Sequence, residues 1–225
     1  MEVSAGQIVF RRPGARVHRT IAALLLALAT APAFAANISA TVDGVEGPLK
    51  NAVMAGIGVA QYGQREVTAA QARRLYDHAR DEAQSALQPY GYYNATVTGD
   101  LKEAGPDYVV VLHVKPGEPV TVSTLDIHID GDADGQRAVQ KALTAFTPAQ
   151  GQALNQAAYE KSKATIQAAL FASGYLDAQL VTHRVEVQRT TNRAEVHLAW
   201  KVGTRFRLGA TTFEGGQFPD AFMQR

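Results

Sequence analysis

Hydrophobic and polar positions follow the same order twice along the chain. Apolar residues alternate with polar ones at 38–42 and again at 125–129, which predicts a strand with one buried face in each region. Apolar residues spaced by threes and fours come next and predict two helices. Two more strands complete each period, at 92–101 and 108–115 and then at 175–187 and 194–202. We therefore expect an α+β fold of tandem β-α-α-β-β units, in which two helices cover one face of each three-stranded sheet.

Fixed landmarks recur at nearly one interval and identify the units. A glycine closes the first strand at Gly44, Gly131 and Gly215, with spacings of 87 and 84 residues. A Gly-Tyr pair begins at Gly91 and again at Gly174, 83 residues later. The expected parts of the chain are a signal peptide at 1–35, complete units at 36–118 and 119–204, and the truncated start of a third unit at 205–225.

The longer helix of each unit begins at a recognisable cap. Thr68 and Gln71 form a capping box, and Asn155 takes the position of Thr68 in the second unit, 87 residues on. Gly91 and Gly174 are expected to end these helices in the left-handed conformation. Because the caps are 87 residues apart and the glycines only 83, the second helix should be shorter by about one turn.

The first 35 residues have the pattern of a secretory signal peptide. Four arginines precede Thr20, residues 21–29 form an apolar run, and the small residues Ala33 and Ala35 stand where signal peptidase cleaves. A membrane anchor is the alternative, but the run is well short of the ~20 apolar residues that span a bilayer. We expect cleavage between Ala35 and Ala36 and an exported, mildly acidic mature chain.

Composition and charge exclude several kinds of site. The chain has no Cys, which excludes a disulfide scaffold, Cys-ligated zinc and a thiol nucleophile. The 22 Lys and Arg residues nearly balance the 21 Asp and Glu residues, which argues against a phosphate-backbone partner. Tyr90, Tyr92 and Tyr93 could stack on bases, but without a basic stripe they are better explained by helix-to-strand packing. We expect no nucleic-acid partner.

Three motifs that carry chemistry in other proteins have simpler explanations in this chain. Asp130–Gly135 reproduces the first half of a calcium-binding loop, but Lys141 stands where the bidentate Glu belongs. Gly56–Gly58 lacks the third glycine and the preceding strand of a dinucleotide-binding loop. His113 and His197 should lie on the polar faces of strands, and no His pair has metal-ligand spacing. We expect no catalytic, cofactor-binding or metal-binding residues.

The repeated landmarks resemble those of a known family of export modules. The Gly-Tyr pair enters the second strand of each unit, a Lys-x-Gly sequence at 115–117 and 201–203 leaves the third, and the tandem units follow an export signal. In these respects the chain resembles the POTRA domains of the Omp85 outer-membrane assembly family, and within it the three-unit factors of the translocation and assembly module. The resemblance implies a periplasmic location and attachment to the outer membrane through a C-terminal barrel that is absent from this sequence.

The resemblance also implies a mode of action. Modules of this family are expected to capture unfolded outer-membrane or autotransporter polypeptides, and to dock a TamB-like inner-membrane partner, by adding a strand to an open sheet edge. Carried over to this chain, the second strand of each unit supplies the edge. The candidate residues are Tyr93, Asn94, Ala95, Thr96, Val97 and Thr98 in the first unit and Leu176, Asp177, Ala178, Gln179 and Leu180 in the second. Two alternatives stay open: the POTRA region of a two-partner secretion transporter, and a periplasmic α+β enzyme.

Overall fold

Two three-stranded mixed sheets, each with its own helices, make up the part of the chain that the structure describes. This structure is a computed structural model, and it describes residues 36–63 and 65–210. The predicted signal peptide, with Ala35 at its cleavage site, lies outside these residues. So do residues 211–225 of the predicted third-unit segment, 205–225. The predicted fold class, α+β with repeated three-stranded units, is confirmed.

The first unit has a central strand flanked by one parallel and one antiparallel neighbour. The central strand β3 (Asp107–Lys115) runs parallel to β1 (Ile38–Asp43) and antiparallel to β2 (Thr96–Ala104). Ile38 is paired with Tyr108 in the parallel ladder, and Val97 with Val114 in the antiparallel one. The elements are β1 (Ile38–Asp43), α1 (Gly47–Gly56), α2 (Gly58–Tyr62), α3 (Ala69–Leu87), β2 (Thr96–Ala104) and β3 (Asp107–Lys115).

The second unit repeats this topology. Its central strand β6 (Arg193–Lys201) runs parallel to β4 (Thr121–Asp130) and antiparallel to β5 (Gln179–Gln188). A β-bulge interrupts β5 between Leu180 and Thr182. The elements are β4 (Thr121–Asp130), α4 (Arg137–Thr144), α5 (Gln156–Ala172), β5 (Gln179–Gln188) and β6 (Arg193–Lys201).

Both predicted caps of the longer helices are confirmed. The Thr68 hydroxyl accepts from the Gln71 N–H while the Gln71 side chain accepts from the Thr68 N–H. The Asn155 side chain accepts from the Ala158 N–H at 2.9 Å. Helix α5 is the shorter one, with 17 residues against 19 in α3, and a 3₁₀ turn at Gln88–Tyr90 takes up the remaining difference in the first unit.

The predicted first helix of the first unit is broken into two. At Ile57 the backbone is extended, with φ −87° and ψ 133°. A Cβ on Gly56 would lie 2.7 Å from the Cβ of Ala86, so the close approach of α1 to α3 requires glycine. The Gly58 N–H donates to Glu82 Oε2 at 2.7 Å, which satisfies a free donor at the start of α2. The Gly56–Gly58 motif therefore serves helix packing.

Strands β2 and β5 begin four residues after the predicted positions 92 and 175. The Tyr175 N–H still donates to the Leu170 carbonyl of the preceding helix at 3.0 Å, and Tyr92 makes the equivalent bond. Gly91 and Gly174 allow this closure through positive φ angles of 90° and 94°, as predicted. A turn therefore occupies the first predicted strand positions.

Each sheet packs its helices over a separate core. The largest fully buried side chain is Trp200 in the second unit, whose indole N–H donates to Gln167 Oε1 at 2.8 Å. In the first core, Leu112 and Leu87 are fully buried. No helix within the described ranges is both long and apolar enough to cross a membrane.

Candidate functional site

Two sheet edges carry the predicted strand-addition residues. Because β3 and β6 are central, β2 and β5 each pair with a single strand within the described residues. Thr96, Val97 and Thr98 lie in β2, while Gln179 and Leu180 lie in β5. The remaining predicted residues precede these strands: Tyr93, Asn94 and Ala95 in the first unit, and Leu176, Asp177 and Ala178 in the second.

Asn94 and Arg189 connect the first unit to the second through a set of bonds that we call the Asn94–Arg189 joint. The Asn94 side-chain amide donates to the Arg189 carbonyl at 2.6 Å and to Asn192 Oδ1 at 2.8 Å. The Arg189 guanidinium donates in turn to the Tyr93 carbonyl at 2.7 Å and to Asn94 Oδ1 at 3.3 Å. Two of the predicted edge residues therefore belong to a joint between units.

Gly91 supplies a backbone contact beside this joint. Its carbonyl accepts from the Val120 N–H at 2.8 Å, just ahead of β4. A Cβ on Gly91 would lie 2.6 Å from the Leu154 carbonyl oxygen, so a side chain has no room there. In the second unit the Gly174 carbonyl accepts from the Phe206 N–H, also at 2.8 Å. The Gly-Tyr landmark thus marks a point of contact with the next stretch of chain as well as a helix end.

Sequence reasoning missed Arg189. It lies in the polar turn between β5 and β6 and is 95 residues from Asn94 in the chain. Neither residue belongs to a recognised motif. No periodicity of the sequence points to this pair, because the two residues lie in turns of different units.

The two candidate edges differ in how their backbones are satisfied. The Tyr76 hydroxyl of α3 donates to the Gly99 carbonyl of β2 at 2.6 Å. Among the described side chains, none hydrogen-bonds to the backbone of β5 between positions 180 and 187. At the bulge of β5, Val181 is 57% exposed. β5 is therefore the more open of the two edges.

A cavity of about 240 Å³ lies between α5 and β5, next to the joint. Its lining includes Tyr93 from the first unit, Val185 and Val187 from β5, and Leu154, Tyr159 and Glu160 at or just before the start of α5. Burial raises the pKa of the Tyr93 and Tyr159 phenols, and the negative charge of Glu160 raises that of Tyr159 further. Both hydroxyls are therefore neutral at ordinary pH.

His113 and His197 lie on the polar faces of their sheets, as predicted. His113 Nδ1 is 3.7 Å from Asp43 Oδ2, and both side chains are at least half exposed. His197 Nδ1 is 3.5 Å from Asp126 Oδ2. The exposed His113–Asp43 pair contributes little to stability. Within residues 36–63 and 65–210, no group of three or more His, Asp or Glu side chains could hold a metal ion.

The Asp130–Gly135 loop is held by a buried tyrosine. Tyr175 has no exposed surface, and its hydroxyl donates to Asp132 Oδ1 at 2.7 Å. Ala133, fully buried, begins a 3₁₀ turn that closes the loop. One of the carboxylates that a calcium ion would need is therefore bound to the core of the second unit.

The first unit matches a known family model over most of its length. Residues 39–116 match the model described as POTRA domain, TamA domain 1. Similar solved structures include POTRA domains 3–5 of BamA from Haemophilus influenzae, with 16% identity and a TM-score of 0.39 over 84% of this chain and 75% of that one. POTRA domains 1–3 of Omp85 from Anabaena align with 16% identity and a TM-score of 0.36, over 73% of this chain and 59% of that one.

Proposed function

We propose that this chain is a POTRA region of an Omp85-family protein and that it acts by strand addition in the periplasm. The match of residues 39–116 to the family model for TamA domain 1 supports this assignment. Its clients are unfolded outer-membrane or autotransporter polypeptides, and a TamB-like inner-membrane subunit is its partner. Binding uses main-chain hydrogen bonds and requires no covalent chemistry. The edge strands β2 and β5 are the binding surfaces.

The observation that carries this proposal is the open edge of β5. An edge strand presents N–H and C=O groups that an extended chain can pair with. In β5 these groups have no side-chain partner among the described residues between 180 and 187, and His183 and Arg184 are both exposed. Main-chain pairing tolerates many side chains, which suits a module that handles diverse clients.

We further propose the domain boundaries that the repeat predicts, with units at 36–118 and 119–204. The Ala36 carbonyl accepts from the Val67 N–H at 2.8 Å, which supports a first unit that includes Ala36. At the other end, Phe206 and Leu208 take the positions that Val120 and Val122 occupy in the second unit. This correspondence supports the start of a third unit near residue 205.

A pair of adjacent proline variants tests strand addition at β5. Successive N–H groups of an edge strand point alternately to the neighbouring strand and to solvent, so one of His183→Pro and Arg184→Pro removes an outward donor and the other a bond to β6. The probe is an extended peptide from a strand of an outer-membrane barrel, and its affinity is measured by calorimetry.

The outward variant should keep the melting temperature of the chain and bind the peptide about tenfold more weakly, whereas the inward variant should melt earlier. Unchanged affinity in the variant that stays folded would exclude β5 as the binding edge. Binding of one dedicated sequence, with barrel peptides of other sequence rejected, would favour a two-partner secretion transporter.

A further inference from the structure

The cavity beside the joint is built by both units. Two of its walls are the first turn of α5 and the edge strand β5, and Tyr93 of the first unit closes a third side. The Asn94–Arg189 joint fixes this wall, because Arg189 donates directly to the Tyr93 carbonyl. The cavity is therefore a property of the pair of units.

The position of the cavity relates it to the open edge. Val185 and Val187 are two residues apart on β5, so their side chains point to the same face, toward α5. A strand added to β5 would place every second side chain beside these valines, at about 4.5–5.5 Å between opposite Cβ atoms. One side chain of that strand would then enter the cavity.

The size and lining of the cavity favour an aromatic side chain. Its volume of about 240 Å³ exceeds the ~150 Å³ that accommodates a benzene molecule, and it is smaller than most small-molecule pockets. Tyr93 and Tyr159 offer ring surfaces for edge or offset contacts. The Glu160 carboxylate is paired with Lys163 Nζ at 2.8 Å, so the nearest negative charge is compensated.

We propose that this cavity is a side-chain subsite that takes one aromatic residue of a strand added to β5. The inference rests on the proposed function, because it requires an added strand. The subsite gives the β5 edge a preference for extended segments with an aromatic residue at one register position. This preference depends on the first unit, because Tyr93 forms one wall of the cavity.

Two peptides that differ at one position test the subsite. Both are extended and polar, with Phe or Ala at the central position, and calorimetry measures their affinity for the full chain. Burial of the ring should make the Phe peptide bind at least about tenfold more tightly. Val187→Phe, which fills the cavity, should remove this difference between the two peptides.

Ala157→Phe is the matched control, because it adds the same ring to an exposed position of α5 outside the cavity. It should keep the tenfold preference. If Val187→Phe lowers the melting temperature, Tyr93→Leu decides instead, since it removes an aromatic wall while keeping an apolar residue.

The outcomes separate the two proposals. If neither peptide binds, strand addition at β5 fails and the subsite fails with it. If both bind equally, or if the preference for Phe survives in a folded cavity variant, strand addition stands and the subsite is excluded.

Discussion

Tyr93 and Leu176 occupy the same position in the two units and have opposite surroundings. Each follows the Gly-Tyr landmark by one residue. Tyr93 packs against the core of the second unit, and its neighbour Asn94 bonds to Arg189. Leu176 is 59% exposed. Tyr93 and Asn94 therefore take part in a joint with the second unit, whereas Leu176, at the position equivalent to Tyr93, is largely exposed.

The contrast extends to the chain that follows each landmark. Val120 and Val122, after the first unit, are buried to 0% and 1% exposure and belong to the second core. Phe206 and Leu208, at the corresponding positions after the second unit, are 50% and 101% exposed. The backbone bond to the landmark glycine is nevertheless present in both places. The bond to the landmark glycine is therefore made whether the side chains beside it are buried, as after Gly91, or exposed, as after Gly174.

The largest expected loss of stability comes from substituting the landmark glycines, and it should differ between Gly91 and Gly174. Gly174→Ala should lower the free energy of unfolding by about 1–2 kcal/mol, which is the penalty for a left-handed backbone with a Cβ. It should lose no more than this, because the half-exposed Phe206 segment can move away from the new Cβ. In Gly91→Ala the Leu154 carbonyl is fixed by its place in the second unit, so overpacking should bring the total loss to about 3 kcal/mol. Urea unfolding of both variants measures the difference. Equal losses would mean that the Leu154 backbone yields as easily as that of Phe206.

A double-mutant cycle tests the joint itself and should show an intermediate effect. Arg189→Ala and Asn94→Ala should each lower the free energy of unfolding by about 1 kcal/mol. The double variant should lose about 0.5 kcal/mol less than the sum, because one bond, from Arg189 Nε to Asn94 Oδ1, joins the two side chains, and the other bonds of the joint go to backbone carbonyls or to Asn192. Arg184→Ala is the control: its ion pair with Glu186 is exposed and should contribute about 0.5 kcal/mol or less. Additive losses would show that the joint bonds are independent of each other.

The elements of both units could be predicted because they depend on local patterns. Periodicity gave the strand and helix order, and the side chains of Thr68 and Asn155 specified where the long helices begin. The break at Ile57 escaped prediction, since it depends on how closely α1 must approach Ala86 of α3. Local sequence indicates that glycine weakens a helix there, but the distance to a neighbouring helix follows only from packing.

The candidate site was less predictable than the fold. The family resemblance indicated which strands form the edges, but the joint depends on contacts between residues about one repeat apart, such as Asn94 with Arg189. The bond from Tyr76 to Gly99 was equally hidden, because Tyr76 fits the apolar stripe of its helix and needs no further explanation. Hydrogen bonds between distant side chains and backbone leave no periodic trace in a sequence.

The smallest expected effect tests why the two edges differ. Tyr76→Phe removes the hydroxyl that donates to the Gly99 carbonyl, so that this acceptor becomes available to an added strand. A barrel peptide should then bind the β2 edge more tightly, by up to about fivefold, which corresponds to one net hydrogen bond. Photo-crosslinking from the peptide, followed by identification of the labelled strand, measures the ratio of β2 to β5 adducts.

Tyr62→Phe is the matched control for this comparison. It removes a hydroxyl from the same unit, and that hydroxyl makes no hydrogen bond to the described residues. The control should leave the ratio of adducts unchanged, whereas Tyr76→Phe should shift it toward β2. If Tyr76→Phe leaves the ratio unchanged as well, the Gly99 carbonyl is not an acceptor for the added strand. The greater openness of β5 would then depend on its bulge and on the cavity beside it, because these are the remaining features that β2 does not share.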